Sequence, residues 1–416
     1  MDPRGPALSP RSRHWALLAL ATLALRGPLL LLSPGAAFDM ESYARVAAIP
    51  GPGLYSAAST LGRYPYLPLW WMILRCLGGL QQWLGGEAGI WMRLPGVAGD
   101  LAVSLLLYSL AERRSRGGSA RTAGADHWRS ERAGLLAGLG WALNPLAALI
   151  SAAHGQFDSL ALALLLLAAW MLEYARQPRA EWWAALCLAA AVALKTWPLA
   201  FLPLYLGSFS GLRERLRFSA WVLLPPLLLL APWLAMDGPA AVAGRLGYSG
   251  AAALGLSGAL RAACFALGAG VQLYLRLDGL WRAAAGLGLA LAYAAGLWQC
   301  RRLKLLEGLP WVALLLLLLA PGLSPQYLAW PVALALAVSP RLALRLSLAC
   351  LPLLACFYGL FLPPVLAGTA AWAPPALGTS GTLLWALANL LWWIYLAAQW
   401  HRFSPRVLMA RPRGAA

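Results

Sequence analysis

Four polar stretches interrupt an otherwise apolar chain, and they carry the side chains best suited to chemistry. A carboxylate can accept a proton from an attacking hydroxyl, while cations and N–H donors can hold a phosphate as it leaves. The candidate residues are, in chain order, Asp39, Arg63, Tyr64, His154, Gln156, Asp158, Lys195, Gln326 and Tyr327. Together these side chains predict a site for an anionic substrate that loses a phosphate group.

The composition identifies the solvent in which these side chains must be positioned. Hydrophobic residues make up 61% of the 416 residues, charged residues make up 12%, and mean hydropathy is +0.66. Soluble domains carry about 25% charged residues, so this apolar excess requires a lipid bilayer. A soluble enzyme, a nucleic-acid-binding domain and a disordered chain are excluded. The net charge of +18 is explained by basic cytoplasmic loops rather than by a nucleic-acid partner.

The apolar runs and the positive charges together predict the topology. We expect an all-α integral membrane protein with about twelve transmembrane helices and both termini in the cytoplasm, since basic loops stay on that side. The predicted spans are 15–32, 90–111, 133–150, 157–175, 181–195, 197–209, 218–236, 280–300, 309–321, 327–340, 345–362 and 383–400. Two further apolar segments, 66–83 and 257–269, are expected to lie at the outer surface as interfacial helices.

This topology divides the chain into three parts, which are a cytoplasmic tail (1–14), a transmembrane domain (15–400) and a basic cytoplasmic tail (401–416). Within the transmembrane domain, the first outer loop (33–89) is expected to hold the catalytic site, and a second large outer loop covers 237–279. All four polar stretches fall on the outer face. Ionisable groups at membrane depth are costly, so those on this face are functional candidates.

Several candidates also have a purely structural interpretation, which the sequence leaves open. Asp39 is a suitable N-cap for a helix that starts near Met40, and Glu41 fits a first-turn helix charge. Lys195 and Arg63 could extend along apolar surface to reach lipid headgroups. These alternatives predict side chains that do not converge.

The other polar residues have structural alternatives of their own. The stretch 154–158 could be a hydrogen-bonded turn, and 326–327 could be an interfacial anchor. Asp100, inside the second span, is expected to pair with a nearby arginine such as Arg93. The six cysteines lie scattered in apolar runs without a Cys-x-x-Cys pair, so we interpret them as core residues rather than metal ligands.

Transfer of a sugar from a polyprenyl phosphate fits the groups on the outer face. Lys195, Arg63, His154 and Gln326 would hold the leaving phosphate. Asp39 would remove the proton of the acceptor hydroxyl. Activated lipid carriers suit this side of the membrane because nucleotide sugars are absent there.

The order and spacing of the motifs carry a resemblance to a known family. The motifs are Asp39-x-x-Ser-Tyr, Arg63-Tyr-Pro-Tyr-x-Pro-Leu, Arg93-Leu-Pro with Asp100, Asn144-Pro145, His154-Gly-Gln-Phe-Asp-Ser, Lys195-x-Trp-Pro and Ser324-Pro-Gln-Tyr-Leu-x-Trp. Over most of its length the chain resembles GT-C fold glycosyltransferases that use a lipid-phosphate sugar donor. It is similar to bacterial enzymes of the mannosyltransferase type related to GPI mannosyltransferase I, and to the dolichyl-phosphate-glucose glucosyltransferases.

The resemblance implies a GT-C type helical bundle, a base at Asp39 and inversion at the anomeric carbon. It implies a polyprenyl-phosphate donor, with mannose the commonest sugar, and an acceptor that the sequence does not identify. The GPI-type enzymes usually carry Asp-x-Asp where this chain has Asp39-Met40-Glu41, and we expect no metal. Many relatives have Tyr-Pro-Pro where this chain has Tyr64-Pro65-Tyr66.

Three other functions stay open at this stage. A transporter or flippase of lipid-linked sugars would place its polar residues near the bilayer midplane, often on broken helices. An oligosaccharide ligase or polymerase would carry a large outer loop, and the loop 237–279 has few polar residues. A non-catalytic scaffold would not need Asp39, His154 and Lys195 to converge.

Overall fold

The structure is a computed structural model that describes residues 9–57, 63–117, 123–175, 177–246, 254–268, 270–300, 304–320, 322–366 and 378–402. Every regular element in these ranges is helical, as predicted. The elements are α1 (Pro10–Leu32), α2 (Ala37–Ala47), α3 (Pro68–Leu84), α4 (Ala88–Gly117), α5 (Ala123–Ala142), α6 (Pro145–Ala148), a π-helical turn (Leu149–His154), α7 (Asp158–Tyr174), α8 (Ala180–Leu194), a 3-10 turn (Trp197–Phe201), α9 (Leu202–Leu206), α10 (Leu212–Met236), α11 (Pro239–Leu246), α12 (Gly255–Ala266), α13 (Gly270–Cys300), α14 (Leu305–Leu319), a second 3-10 turn (Pro325–Leu328), α15 (Ala329–Leu336), α16 (Pro340–Leu366) and α17 (Gly378–Arg402).

The long apolar helices indicate a membrane protein. Within the described ranges, five helices are long and apolar enough to cross a bilayer, and they belong to α1, α4, α10, α16 and α17. A sixth is added if α5 and the segment that follows it, bent by 41°, form one span. Each predicted span overlaps a helical segment, while the number of segments that cross the bilayer stays a prediction.

Helix breaks bring two of the polar stretches to helix ends. The Asn144 side chain accepts a hydrogen bond from the Leu146 backbone at 3.0 Å and caps α6, which begins at Pro145. Proline removes a backbone donor and clashes with the preceding turn, so α8 cannot continue through Pro198. It ends at Leu194, and Lys195 is extended (φ −145°, ψ 140°), as the predicted break requires.

A buried ion pair ties the π-helical turn, which ends at His154, to three neighbouring helices. The guanidinium of Arg26 lies 2.6 Å from the Asp100 carboxylate, and both side chains are fully buried. The Trp141 indole donates to the other oxygen of Asp100 at 3.1 Å, and the Ser151 hydroxyl also donates to this carboxylate. The network joins α1, α4, α5 and the π-helical turn.

The predicted structural pairing of Asp100 with an arginine is confirmed, but the partner is Arg26 and not Arg93. Seven residues separate Arg93 from Asp100 along α4, which is a rise of about 10 Å, so their side chains act at different depths. Arg93 instead donates to the carbonyl oxygens of Gly89, Ala152 and Leu30 at 2.8–2.9 Å. It thereby satisfies backbone acceptors at two helix ends.

The first outer loop is held against the bundle by α10. Asp237 follows the last residue of α10, and its carboxylate accepts hydrogen bonds from the backbone N–H of Gly53 and Tyr55 at 2.6 and 2.7 Å. The two predicted interfacial segments form α3 and α12. Their depth in a membrane stays a prediction.

Candidate functional site

Asp39 lies in a hydrogen-bonded cluster with residues far away in the chain. Its Oδ2 atom is 2.7 Å from Nε2 of His154 and accepts a hydrogen bond from Nε2 of Gln156 at 2.9 Å. An ionised carboxylate can only accept, so Nε2 of His154 carries the proton in this contact. The structure therefore brings together two of the predicted polar stretches around one carboxylate.

Lys195 extends the cluster toward the start of α7. Its ammonium donates to Oε1 of Gln156 at 3.1 Å and to Oδ2 of Asp158 at 2.5 Å. Oδ1 of Asp158 accepts from the Trp330 indole at 2.9 Å. Gln156 is therefore the link between the Asp39 carboxylate and the Lys195 ammonium.

Two aromatic rings cover Lys195, one from Phe157 directly before α7 and one from Tyr66 in the 33–89 segment. Its ammonium lies 4.3 Å from the ring centre of Phe157 and 5.3 Å from that of Tyr66. Trp70 of α3 stacks on the Phe157 ring at 3.6 Å. The Tyr66 ring thus faces a cation.

Tyr358 and Trp330 belong to the cluster although neither is among the predicted site residues. The Tyr358 hydroxyl is 3.0 Å from Nδ1 of His154, on the side of the ring opposite Asp39. Trp330 stacks on Trp197 at 4.2 Å. Trp330 is the last residue of the Ser324-Pro-Gln-Tyr-Leu-x-Trp motif, so the sequence could have predicted it as a site residue. Tyr358 lies in an apolar run without a motif, so the sequence gives no such indication.

The local backbone explains why His154 and Gln156 point toward Asp39. The π-helical turn ends at His154, and Gly155 has φ +101°, a left-handed conformation that glycine adopts without steric cost. The His154 carbonyl then accepts a hydrogen bond from the Ala36 backbone at 2.8 Å, directly before α2. This bond fixes the start of α2 and so the position of Asp39.

Two glycines of α4 let the site backbone approach closely. A Cβ at Gly96 would lie 2.5 Å from the Gln156 carbonyl oxygen, and one at Gly99 would lie 2.4 Å from the Leu160 backbone nitrogen. Real Cβ atoms do not come so near to backbone atoms. Both positions therefore need glycine for α4 to hold the 155–160 segment.

We expect Gly99→Ala to destabilise the protein by about 1–3 kcal/mol, because overpacking forces the backbone apart. The measurement is thermal unfolding of the detergent-solubilised protein. The matched control is Gly79→Ala within α3, where a Cβ meets no atom within 4 Å, and alanine there should be neutral or stabilising. Equal melting temperatures for Gly99→Ala and the wild type would contradict the close contact between α4 and α7.

Exposure distinguishes Asp39 from its partners. Its side chain is 20% exposed, whereas those of His154 and Lys195 are 5% exposed and that of Asp158 is fully buried. Asp39 lies in the first turn of α2 after the N-cap residue Ala36, so the N-cap interpretation is wrong. The buried ion pair of Lys195 also rules out an extended side chain that reaches lipid headgroups.

Arg63 packs against α2, the helix that carries Asp39, and its described contacts do not include the side chains of the cluster. Its guanidinium donates to Glu41 at 3.0 Å and to the Ser42 hydroxyl at 3.2 Å, and it stacks over Phe38 at 4.7 Å. The hydrogen bond from Arg45, followed by that from Arg63, lowers the pKa of Glu41. Glu41 is therefore an anchor for two arginines on the neighbouring turns and loop.

Tyr64 is buried away from the cluster and organises the start of α3. Its hydroxyl donates to the Leu67 carbonyl at 2.8 Å and accepts from the Trp71 backbone at 2.9 Å. Burial raises the pKa of this phenol well above its usual value. The structure gives Tyr64 a loop-positioning role rather than an accessible surface.

Gln326 and Tyr327 approach the cluster through Trp330. The Tyr327 ring lies 4.4 Å from the Trp330 ring, and Gln326 is buried in the short turn before α15. Trp330 in turn donates to Asp158. These two residues are therefore linked to the cluster at Asp158, the end of the hydrogen-bonded chain opposite Asp39.

A cavity of about 640 Å³ opens directly after Lys195. It lies between the 195–203 segment, α13 and α14, and its walls are mainly apolar. The lining residues are Thr196, Trp197, Leu199, Ala200, Leu202, Pro203, Gly286, Ala290, Tyr293 and Leu316. Because Trp197 stacks on Trp330, this cavity and the polar cluster share a wall.

The described residues contain no group of three or more His, Cys, Asp or Glu side chains that could hold a metal ion. The chain matches no protein-family model and no curated protein. The site is thus defined by its own geometry, which is an accessible carboxylate beside a buried ammonium and an apolar cavity.

Proposed function

We propose that this protein is an inverting glycosyltransferase. It moves a monosaccharide, with mannose expected from the resemblance, from a polyprenyl-phosphate donor to an acceptor hydroxyl. The observation that carries the proposal is the convergence of Asp39, His154, Gln156 and Lys195 in one hydrogen-bonded chain. A scaffold protein has no use for such a chain around a partly exposed carboxylate.

Asp39 is suited to act as the general base. Both described hydrogen bonds reach Oδ2, and within the described residues Oδ1 has no hydrogen-bond donor. The two donors fix the carboxylate, so its other oxygen can face an incoming hydroxyl. Positioned bases of this kind contribute about 10²–10⁴-fold to rate.

Lys195 and Arg63 are suited to hold the phosphate. An ammonium has three N–H donors, and the contacts to Gln156 and Asp158 use two of them. Within the described residues Arg63 uses one terminal nitrogen, for Glu41 and Ser42, and the rest of its planar donor set can contact a phosphate. Asp158 neutralises much of the charge of Lys195. Arg63 shares the single carboxylate of Glu41 with Arg45, so it keeps more positive charge to attract the phosphate.

The apolar cavity beside Lys195 suits the isoprenoid chain of the donor. A phosphate next to Lys195 would place its lipid chain at Thr196 and Trp197, where the cavity begins. Burial of each methylene group contributes about 0.8 kcal/mol. The cavity therefore supports a lipid-linked donor over a soluble one.

The proposed reaction is a single displacement. The acceptor oxygen bonds to the anomeric carbon as its proton passes to Asp39, and the bond from that carbon to the phosphate oxygen breaks. The electron pair leaves with the polyprenyl phosphate, whose negative charge Lys195 and Arg63 offset. Attack opposite the leaving group inverts the anomeric configuration.

The proposal includes a membrane arrangement that follows from the charge pattern. About twelve segments cross the bilayer, both termini face the cytoplasm, and the Asp39 cluster faces the periplasm or the exterior. The donor enters this cluster from the outer leaflet of the cell membrane.

The test is an assay with purified protein and radiolabelled polyprenyl-phosphate mannose or glucose, run against candidate acceptors with and without a chelator. We expect a glycosylated product of inverted configuration and release of polyprenyl phosphate. A sealed-vesicle version separates the alternatives, because a flippase would move the labelled lipid across the bilayer without forming product. A ligase or polymerase would accept lipid-linked oligosaccharides and ignore the monosaccharide donors, and that result would contradict the proposal.

Filling the cavity should discriminate donors by chain length. We expect Ala290→Trp to raise KM about fifteenfold for a long-chain donor, since losing the burial of about two methylene groups costs about 1.6 kcal/mol. A donor with a short isoprenoid chain should be affected less. Steady-state kinetics with both donors measures the effect, and equal changes in KM would show that the chain lies elsewhere.

A further inference from the structure

A second cavity, of about 380 Å³, lies at the end of the bundle opposite the Asp39 cluster. It is lined by Pro178, Arg179, Glu181, Trp182, Arg217 and Trp221. α7 starts in the cluster at Asp158, and α8 returns to the cluster just before Lys195. The loop between them is therefore one helix length away, which for the 15 residues of α8 is about 22 Å. This distance is about three quarters of the roughly 30 Å thickness of a bilayer core, so the two sites lie toward opposite faces.

Positive charge and indole rings surround this cavity. Arg217 forms an ion pair with Glu181 at 3.0 Å and lies over the Trp221 ring at 5.0 Å. The guanidinium of Arg179 has no hydrogen bond or ion pair to the described part of the chain. Two arginines against one glutamate leave the cavity with a net positive charge.

An apolar track leads away from the cavity along α10. Leu223, Leu224, Leu227 and Leu228 follow Trp221 and are between 36% and 62% exposed. Exposed leucines on a helix long enough to cross a membrane face lipid chains. The positive cavity and the apolar track are thus continuous on one helix.

The same end of the bundle carries two more stacked pairs of arginine and tryptophan. Arg11 lies over Trp15 at 5.0 Å near the start of α1, and Arg113 lies over Trp170 at 4.7 Å where α4 meets the end of α7. Tryptophan and arginine gather where a membrane meets water. These pairs place the second cavity at the level of lipid headgroups.

We propose that this cavity binds the phosphate headgroup of an anionic phospholipid in the leaflet opposite the Asp39 cluster. Arg179 and Arg217 contact the phosphate, because the guanidinium fork matches its oxygens. Trp182 and Trp221 border the headgroup, and the acyl chains lie along the leucines of α10. This proposal is independent of the glycosyltransferase assignment.

The test compares lipid binding by the full-length protein in vesicles of phosphatidylglycerol, of phosphatidylcholine, and in detergent with inorganic phosphate. Native mass spectrometry counts the lipids that stay bound. An arginine near an anionic surface contributes about fivefold to binding. We therefore expect Arg179→Ala to lower phosphatidylglycerol binding about fivefold and the variant with Arg217→Ala added to lower it about twenty-five-fold, with no change for phosphatidylcholine.

The control is Arg213→Ala, which removes an exposed arginine of α10 that does not line the cavity and should therefore lower phosphatidylglycerol binding less than Arg179→Ala does. An equal loss from Arg213→Ala would show a general attraction to anionic lipid and would overturn the site. Arg179→Ala breaks no described ion pair, so its effect does not depend on altered folding. Wild-type phosphatidylglycerol binding by the double variant would overturn the proposal. Displacement of phosphatidylglycerol by millimolar inorganic phosphate would also overturn it, because the site would then recognise the free anion.

Discussion

Asp39→Asn is expected to lower turnover with a polyprenyl-phosphate sugar by about 10²–10⁴-fold, while donor binding changes little. Asparagine has nearly the shape of aspartate and keeps an oxygen that can accept from His154 and Gln156, so the cluster should remain assembled. It lacks the capacity to take the acceptor proton. Initial rates of product formation, together with equilibrium binding of the donor, separate the loss of a base from the loss of a binding group.

The control for Asp39→Asn is Glu87→Gln, which removes an exposed carboxylate in the turn just before α4. We expect that variant to retain wild-type rates. A single displacement needs a base at Asp39, so wild-type turnover in Asp39→Asn would eliminate the mechanism. If Asp39→Asn instead weakened donor binding and left turnover at saturating donor unchanged, Asp39 would position the substrate and would not accept the proton.

The gathering of the polar stretches could be predicted because helix breaks and charges leave few arrangements open. Pro198 must end α8, and Pro145 must start a helix, so Lys195 and His154 lie at helix ends. The positive-inside bias then assigns these ends to one face. These constraints favour an arrangement that gathers both residues near Asp39. In the structure His154 contacts Asp39 directly, and Lys195 is linked to it through Gln156.

The pairing of individual charges could not be predicted in the same way. Lys195 and Asp158 were both candidate substrate ligands by type, but in the structure they neutralise each other at 2.5 Å. Asp100 pairs with Arg26, which is 74 residues away, rather than with an arginine of its own helix. Such partners depend on side-chain direction at each depth of the bundle, which periodicity alone does not specify.

The surroundings of Asp39 also include groups that no sequence pattern predicts. Tyr358 contacts His154 from α16, a helix that is apolar for most of its length. A lone hydroxyl in such a helix has no spacing signal, because one tyrosine among leucines fits a lipid-facing or core position equally well. Tyr64 is the opposite case. It belongs to a motif and was a candidate substrate ligand, but its hydroxyl bonds to the backbone at the start of α3.

Lys195→Met is expected to produce two losses that a second substitution can separate. The change leaves the fully buried Asp158 carboxylate without its ion-pair partner, and breaking a buried pair costs about 3–5 kcal/mol. It also removes the N–H that we assign to the phosphate. Adding Asp158→Asn removes the uncompensated charge and keeps an oxygen for the Trp330 indole, so the double variant should regain most of the melting temperature.

Activity decides what Lys195 does beyond holding the fold. If the third N–H of Lys195 contacts the phosphate, the double variant should have a kcat about 10²–10³-fold below that of the wild type even though its stability is restored. This is the usual loss when one hydrogen-bond donor to the transition state is removed. Lys304→Met, at an exposed lysine before α14, is the matched control and should have no effect on either measurement. A double variant with wild-type stability and wild-type kcat would show that Lys195 serves only to neutralise Asp158, and the phosphate contacts would then fall to Arg63.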